Sequence, residues 1–178
     1  MRERVWIWRL HWEAPDEILR RSPNDPPIYR FDDPRCAYAV TYGNLEEVGA
    51  FLEVYGDTQR IESAQRARRL TQLESERPLL VVDLDDAKTQ KVFGLDARIA
   101  SSRQYGTTQR WSCAWHEWYA DADGIRYRSR HENSTLNLCL FLDRCADAFV
   151  IRQTERLEDL DRARLLRLVA PYQITLDW

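Results

Sequence analysis

The sequence predicts a single α+β domain in which helices flank a mixed, mainly antiparallel sheet. Three observations lead to this prediction. The 178-residue chain is long enough for one hydrophobic core but short for two domains. Strand-like apolar segments alternate with segments of helical periodicity, without the regular strand–helix–strand repetition of a parallel α/β sheet. No internal repeat or linker divides the chain, so residues 1–178 are expected to form one domain.

The first third of the chain is expected to hold two strands, a long loop and a helix. The apolar run at residues 5–10 predicts a strand that is apolar on both faces. The proline-rich stretch 22–34 predicts an ordered loop, because proline fixes φ and removes a hydrogen-bond donor. Residues 37–42 predict a second strand. Asn44, with a glutamate three residues later, is the expected N-cap of a helix over residues 45–55.

The middle of the chain is expected to alternate between helix and strand. Residues 61–76 predict a helical or mixed segment, in which the basic run between positions 66 and 69 forms a solvated helix face. The continuous apolar run 79–84 predicts a buried strand, and residues 94–100 predict a turn and the start of a helix. Residues 107–120 predict a helix with three tryptophans on a core-facing stripe. These tryptophans are Trp111, Trp115 and Trp118.

The last third of the chain is expected to return mainly to strands. Residues 124–127, 136–142 and 148–153 each predict a strand from their apolar alternation. Residues 155–169 predict an amphipathic helix, since leucines recur at helical spacing. Residues 173–178 predict a closing strand.

Composition and charge narrow the range of functions. The chain has a formal net charge of −3, whereas a domain that binds duplex DNA usually has a surplus of positive charge, so no direct contact with nucleic acid is expected. No apolar run approaches the length of a transmembrane helix or of a signal-peptide core, so we expect a cytoplasmic protein without membrane contact. The four cysteines lack CxxC spacing and nearby histidines, so no metal site is expected.

Four residues are candidates for chemistry, although each also has an ordinary structural explanation. Arg30, at the end of the proline-rich loop, could be a surface arginine that pairs with Asp32 or the next aspartate. Glu53 could be one of the many exposed carboxylates on helices. Tyr42 could be a core tyrosine at a strand end, and Ser129, between two arginines, could belong to an ordinary loop.

Common catalytic motifs do not decide between these explanations. The three histidines have neither catalytic nor metal-ligand spacing. The chain has no GxSxG, P-loop or GxGxxG motif. Taken residue by residue, the sequence therefore predicts only a soluble α+β domain.

A set of segments, in a fixed order along the chain, is more specific. Each segment combines charged or small residues with aromatic or apolar neighbours, and each alone has moderate specificity. The segments are 30–34 (RFDDP), 42–53 with Tyr42, Glu46, Ala50, Phe51 and Glu53, 94–98 (GLDAR) with 108–111 (TQRW), 122–130 (ADGIRYRSR) and 138–144 (LCLFLDR).

In this order the segments resemble the motifs of the RES-domain family. Residues 30–34 resemble the family's GRFDDP opening, with Tyr29 in place of the glycine. Residues 122–130 resemble its DGIxYPSR motif, with Arg128 in place of the proline. The resemblance covers nearly the whole chain and extends to the tail at residues 165–176.

The resemblance implies a fold similar to that of ADP-ribosyltransferases and the role of toxin in a bacterial toxin–antitoxin pair. Members of the family consume NAD⁺: some cleave it with water or phosphate, and some transfer ADP-ribose to a protein. Their usual partner is an antitoxin with an Xre-type helix-turn-helix, which blocks the toxin's site. The arginine, glutamate and serine that give the family its name correspond here to Arg30, Glu53 and Ser129.

These residue types suit NAD⁺ as a substrate, and no metal is needed. The guanidinium of Arg30 is suited to the pyrophosphate, because it can donate paired hydrogen bonds. Cleavage of the glycosidic bond builds positive charge on the ribose, which the carboxylate of Glu53 would stabilise. Tyr42 is expected to stack on nicotinamide or to bind the ribose, and Ser129 to bind a phosphate or the ribose.

Three functions stay open at this point. The leading hypothesis is an NAD⁺ glycohydrolase or phosphorylase toxin, and the alternative within enzymes is a mono-ADP-ribosyltransferase that modifies a protein. The third is a catalytically inactive interaction module of the same fold, which the departures at Tyr29 and Arg128 leave open. The Trp-rich helix and Trp178 also leave a homo-oligomeric or antitoxin interface open, although core packing is the expectation for them.

Overall fold

Residues 2–178 are described by a computed structural model, with side chains from residue 4 onward. None of the helices in this range has both the length and the apolar character that a membrane crossing requires. The strands are β1 Arg2–Glu3, β2 Trp6–His11, β3 Val40–Asn44, β4 Arg60–Ile61, β5 Arg69–Ser75, β6 Leu79–Asp83, β7 Gly124–Arg128, β8 Leu136–Phe141, β9 Phe149–Arg156 and β10 Thr175–Leu176. The α-helices are α1 Glu47–Tyr55, α2 Ala87–Phe93, α3 Arg98–Ser101, α4 Tyr105–Trp118, α5 Leu142–Cys145 and α6 Arg162–Val169.

One mixed sheet organises the molecule. It has eight strands in the order β1-β6-β7-β8-β3-β2-β5-β9. The pair β6–β7 is parallel, and the other neighbouring pairs are antiparallel. Strands β4 and β10 form a separate parallel pair. The α+β class with a mixed, mainly antiparallel sheet in one domain is therefore confirmed.

The sheet opens between β2 and β3. Strand β2 pairs with β5 at six positions, and β3 pairs with β8 at five. Between β2 and β3, however, the described chain has one paired position, Trp8 with Asn44. The two strands diverge beyond this point, so the side chains and main chain on either side of the opening are available to line a cleft.

Three apolar clusters hold the helices against the sheet. The first lies under α4 and includes the fully buried Trp115 and Phe31. The second joins α1 and α6 to β2 and β5 and includes Phe51 and Leu165, while the third includes Leu138 on the other face of β8. Full burial of a side chain such as Phe51 contributes roughly 1.5–3 kcal/mol. The second cluster therefore fixes α1 beside the opening in the sheet.

Strand pairing extends further than the periodicity suggested in two segments, so the helix face expected within the helical or mixed segment 61–76 and the first half of the helix predicted over residues 155–169 are wrong. Within residues 61–76, strand β5 begins at Arg69, and the predicted helix face is absent; the guanidinium of Arg68 instead lies 4.7 Å from the ring centre of Trp12. Strand β9 continues to Arg156, which pairs with Arg69. Only the second half of the helix predicted over residues 155–169 is therefore helical, as α6.

Details at three other helices also differ from the predictions. Helix α1 begins at Glu47 with Glu46 as its N-cap, so Asn44 is not the cap; its side-chain oxygen accepts the Glu46 main-chain N–H instead, at 2.7 Å. In α4 the core-facing stripe holds for Trp115 but not for Trp118, which lies in the last turn and is 60% exposed. Helix α2 was not predicted, and it ends at a glycine with φ of +62°.

The close approach of β7 and β8 can be tested at a glycine. A Cβ atom on Gly124 would lie 2.2 Å from the main-chain oxygen of Cys139 and 3.0 Å from Cα of Leu140. We expect Gly124→Ala to lower the free energy of unfolding by at least about 2 kcal/mol, because the strands must move apart. The matched control is Gly106→Ala in α4, where the nearest atom is 3.9 Å away. There, urea denaturation should show no loss and a gain of up to about 1 kcal/mol. Equal stability of the two variants would contradict the tight packing of β7 on β8.

Candidate functional site

A cleft of about 570 Å³ lies where β2 and β3 diverge. This volume is in the range of small-molecule sites. Tyr42 and Glu53, two of the four predicted site residues, line it, whereas Arg30 and Ser129 lie outside its lining. The cleft is further lined by residues 8–13, residues 40–44, Arg21, Asp25, Pro26, Ile28, Tyr29, Ala50, Val54, Arg68, Tyr127 and Asn137.

Glu53 and Ser129 are in direct contact although they are 76 residues apart. The Ser129 hydroxyl donates to Oε1 of Glu53 at 2.7 Å, and the side-chain amide of Asn137 donates to the same oxygen at 2.8 Å. The main-chain N–H of His131 donates to the Ser129 hydroxyl at 3.2 Å. Oε2 of Glu53 accepts no hydrogen bond within the described chain. Glu53 is exposed, as the ordinary explanation expects, yet one of its oxygens receives two charge-assisted hydrogen bonds.

Three elements bring these groups together. Glu53 lies on α1, whose apolar face is fixed by the second cluster. Ser129 follows directly after β7, and its main-chain N–H donates to the carbonyl of Thr135 at 3.0 Å, which closes the loop between β7 and β8. Asn137 lies on β8 among apolar neighbours. The contact therefore depends on how α1 packs against the end of the β7–β8 hairpin.

Arg30 is buried, and the structure excludes its predicted pairing with the neighbouring aspartates. Its Nη1 donates to the main-chain oxygens of Ser102, at 2.5 Å, and Ile99, at 3.4 Å. Its guanidinium carbon lies 5.1 Å from the ring centre of Tyr105. Burial lowers the pKa of Arg30, an effect that Tyr105 and the nearby carboxylate of Glu53 oppose, and an arginine keeps its charge. Arg30 thus supports the segment before α4 and interacts electrostatically with Glu53 without a hydrogen bond to it.

Tyr42 connects the cleft to the proline-rich loop. Its hydroxyl donates to Oδ1 of Asp32 at 2.9 Å and accepts the main-chain N–H of Phe31 at 2.9 Å. The carboxylate of Asp32 also accepts from Arg21 at 2.9 Å and from the main-chain N–H of Tyr29 at 3.0 Å. Burial raises the pKa of Tyr42 well above its usual value, so the phenol stays a neutral donor. Its hydroxyl is therefore committed to the loop.

The loop that follows Ser129 carries a charged cluster. Arg130 donates from Nη2 to Asp57 and from Nε to Nε2 of His131, the latter at 3.0 Å. Arg103 donates to the same Asp57 at 3.3 Å. Burial lowers the pKa of His131, which agrees with a neutral ring that accepts at Nε2. Two guanidinium groups share one carboxylate here, so a surplus of positive charge remains beside Glu53.

The sequence did not single out several residues that complete this site. Asn137 and Asp32 are the most important of them, since they hold Glu53 and Tyr42. A signal for Asn137 was present: it is a polar residue within the apolar strand 136–141, and a buried amide requires partners. Asp32 belongs to a segment that was singled out only for Arg30. The partners of Asn137 and Asp32 lie on distant segments of the chain, and spacing along the sequence does not reveal how these segments pack.

The four cysteines are free thiols. Cys36 is half-buried, and Cys113, Cys139 and Cys145 are buried as small core residues. Residues 2–178 contain no group of three or more histidine, cysteine, aspartate or glutamate side chains arranged to hold a metal ion.

Comparison with known proteins identifies a family and solved structures of similar fold. The model of the family described as RES domain matches residues 6–163. Curated proteins give no match. The crystal structure of the MbcT–MbcA toxin–antitoxin complex from M. tuberculosis contains a chain that matches with a TM-score of 0.70 and 17% identity, over 96% of this chain and 91% of that chain. At this identity the likeness shows the fold alone.

The role of Asp32 gives a stability prediction. We expect Asp32→Ala to lower the free energy of unfolding by about 3 kcal/mol or more, because Arg21 and Tyr42 lose a buried acceptor. Asp25→Ala is the matched control. Asp25 is 53% exposed and lies 3.7 Å from Arg21, so its loss should cost less than about 1 kcal/mol. Thermal and urea unfolding would measure both, and similar small effects would show that the loop is not held by Asp32.

Proposed function

The chain belongs to the RES domain family, and on this premise we propose that it is the toxin of a bacterial toxin–antitoxin pair, which cleaves NAD⁺ between nicotinamide and ribose. The observation that carries the proposal is the contact of Glu53 with Ser129 and Asn137 beside the cleft. All three residues lie within the matched range 6–163.

Glu53 supplies the central chemistry of the proposed reaction. As the glycosidic bond breaks, positive charge develops on the ribose, and a fixed carboxylate stabilises that charge. Oε1 is already held by Ser129 and Asn137, so Oε2 remains for the ribose. Nicotinamide leaves as a neutral molecule, and the reaction therefore needs no strong general acid.

The remaining predicted residues have supporting roles in this proposal. We assign Arg30 to the pyrophosphate, which would extend beyond the lining of the cleft to reach Nε and Nη2; these atoms donate no hydrogen bond within the described chain, while Nη1 keeps its main-chain partners. The ring of Tyr42 lines the cleft and contacts nicotinamide or ribose. Ser129 binds the ribose or a phosphate while it orients Glu53. NAD⁺ is the substrate, and no metal takes part in the proposed step.

An antitoxin is the proposed partner. The structural relative was solved as a complex of a toxin with its antitoxin, and family resemblance points to an antitoxin with an Xre-type helix-turn-helix. We place the action of the toxin in the cytoplasm, where NAD⁺ is available. We also take the domain to span residues 1–178, because Trp178 packs against the second apolar cluster.

The acceptor of ADP-ribose separates the remaining enzymatic functions. Purified protein is incubated with NAD⁺ labelled in its adenylate, with and without phosphate and with a cell lysate. Free ADP-ribose indicates hydrolysis, a phosphorylated ADP-ribose indicates phosphorolysis, and a labelled protein indicates a mono-ADP-ribosyltransferase. Intact NAD⁺, together with no shift in melting temperature when NAD⁺ is added, would instead support an inactive interaction module.

The role of Glu53 predicts a large loss of activity in one variant. Glu53→Gln keeps the size of the side chain but removes its charge, so NAD⁺ cleavage should fall by on the order of 10²-fold or more with the fold unchanged. Glu62→Gln, at an exposed position, is the matched control and should keep wild-type turnover. Induction in cells should deplete NAD⁺ with the wild type but not with Glu53→Gln. Near wild-type turnover of the purified variant would remove Glu53 from the mechanism.

The role of Arg30 predicts a loss of affinity that lysine does not repair. Arg30→Lys should raise KM for NAD⁺ by about tenfold or more, because lysine keeps the charge but lacks the planar paired donors. Arg30→Ala should raise it at least as much. Since Arg30 also holds Ser102, melting temperatures are measured alongside, with the exposed Arg20→Lys as control. An unchanged KM in a folded Arg30→Lys protein would refute the role.

A further inference from the structure

The amide that holds Glu53 is itself oriented by a buried series of hydrogen bonds. The main-chain N–H of Glu46 donates to Oδ1 of Asn44 at 2.7 Å. Nδ2 of Asn44 donates to Oδ1 of Asn137 at 2.7 Å, and Nδ2 of Asn137 donates to Oε1 of Glu53 at 2.8 Å. Asn44 is 1% exposed and Asn137 is 2% exposed. The series runs from the start of α1 through two strands and back to Glu53 on the same helix.

The direction of this series is fixed at its first member. A main-chain N–H can only donate, so the side-chain oxygen of Asn44 must face Glu46. The nitrogen of Asn44 then faces Asn137, whose oxygen must accept and whose nitrogen must donate onward. If either amide group were rotated by 180°, a buried donor would face a donor or a buried acceptor would face an acceptor. Glu53 therefore always meets a donor from Asn137.

The packing around Asn44 leaves its side chain no freedom. Asn44 and Asn137 are directly opposite each other on β3 and β8, so their side chains share one face of the sheet. The hydroxyl oxygen of Thr135 accepts from Nδ2 of Asn44 at 3.4 Å. Gly49 of α1 covers the amide so closely that a Cβ there would lie 2.1 Å from it.

We propose that Asn44 is a positioning residue for the proposed cleavage of NAD⁺, and this inference rests on that proposed function. Through Asn137 it presents a fixed donor to Oε1 of Glu53 and leaves Oε2 for the ribose. Asn44 itself has no contact with Glu53 in the series. Although Asn44 belongs to the lining of the cleft, its side chain is buried, so its effect on the reaction passes through the orientation of the Asn137 amide.

Other charged and titratable groups near Glu53 are separate from this series. Arg30 from the proline-rich loop, Tyr127 from β7 and His131 from the β7–β8 loop each interact electrostatically with Glu53. Within the described chain none of the three hydrogen-bonds to Asn44. A substitution at Asn44 therefore alters the donor on Glu53 and leaves these groups in place.

Asn44→Asp tests the proposal because it keeps the shape of the side chain and removes its donor. One oxygen of the aspartate still accepts from Glu46, but the other cannot donate to Asn137. The Asn137 amide then turns over and presents its oxygen to Glu53. We expect kcat to fall about tenfold or more, the acidic limb of the pH–kcat profile to move up by about one pH unit, and KM to stay within about twofold.

Two further variants make the test decisive. Asn133→Asp adds the same charge at an exposed position of the β7–β8 loop and should leave kcat and the pH profile unchanged. Asn137→Ala removes the donor to Glu53, while Asn44 still accepts the main-chain N–H of Glu46. This variant should reproduce the shift of the acidic limb, and it replaces Asn44→Asp in the test if that protein does not fold. A merely structural role would lower the folded fraction without moving that limb.

The outcomes distinguish this inference from the proposed function. If the wild type cleaves NAD⁺ and the folded Asn44→Asp protein keeps the wild-type acidic limb, or Asn137→Ala keeps it where Asn44→Asp does not fold, the role of Asn44 is wrong while the function stands. If the wild type releases no nicotinamide from NAD⁺, the proposed function and the role of Asn44 are both overturned.

Discussion

The hydrogen bond from the Ser129 hydroxyl to Oε1 of Glu53 is the constraint on which the site depends. It joins α1 to the end of the β7–β8 hairpin at a place where neither segment alone could bind a substrate. Asn137 adds a second donor to the same oxygen. Because both donors use one carboxylate oxygen, the other remains for an electron-poor ligand. The proposed site therefore depends on packing between segments far apart in the chain.

The opening in the sheet forms a cavity that Glu53 lines. Strand β2 pairs along its length with β5, and β3 pairs with β8. The two halves of the sheet are joined where Trp8 pairs with Asn44. Asn44 lies at the junction and also starts the link to Asn137. Asn44 thus lies where the pairing of β2 with β3 ends, and it also begins the series of hydrogen bonds proposed to orient Glu53. The shape of the cleft and the direction of the carboxylate therefore both depend on Asn44.

Local periodicity predicted the elements whose burial is one-sided or continuous, such as β6, β7, β8 and α4. It was wrong where pairing with a distant strand decides the structure, as in β5 and the end of β9. It also placed Trp118 in the core, although the helix ends there. Within the site, the resemblance to a family singled out Arg30, Glu53 and Ser129, but the hydrogen bond between Ser129 and Glu53 was found only in the structure. Asn44 and Asn137 could not be found in this way, since their roles depend on strand register and on the direction of two amides. Arg30 was expected at the surface or on a ligand, and its burial beneath main-chain carbonyls became visible only in the structure.

A structure of the Glu53→Gln protein with NAD⁺ bound would show whether position 53 faces the reacting ribose, since this variant should bind the substrate but not consume it. We expect the ribose that carries nicotinamide to lie in hydrogen-bonding or van der Waals contact with the side chain at position 53, with Ser129 and Asn137 still on its other side. NAD⁺ bound elsewhere on the molecule, with the cleft between β2 and β3 empty, would contradict this expectation.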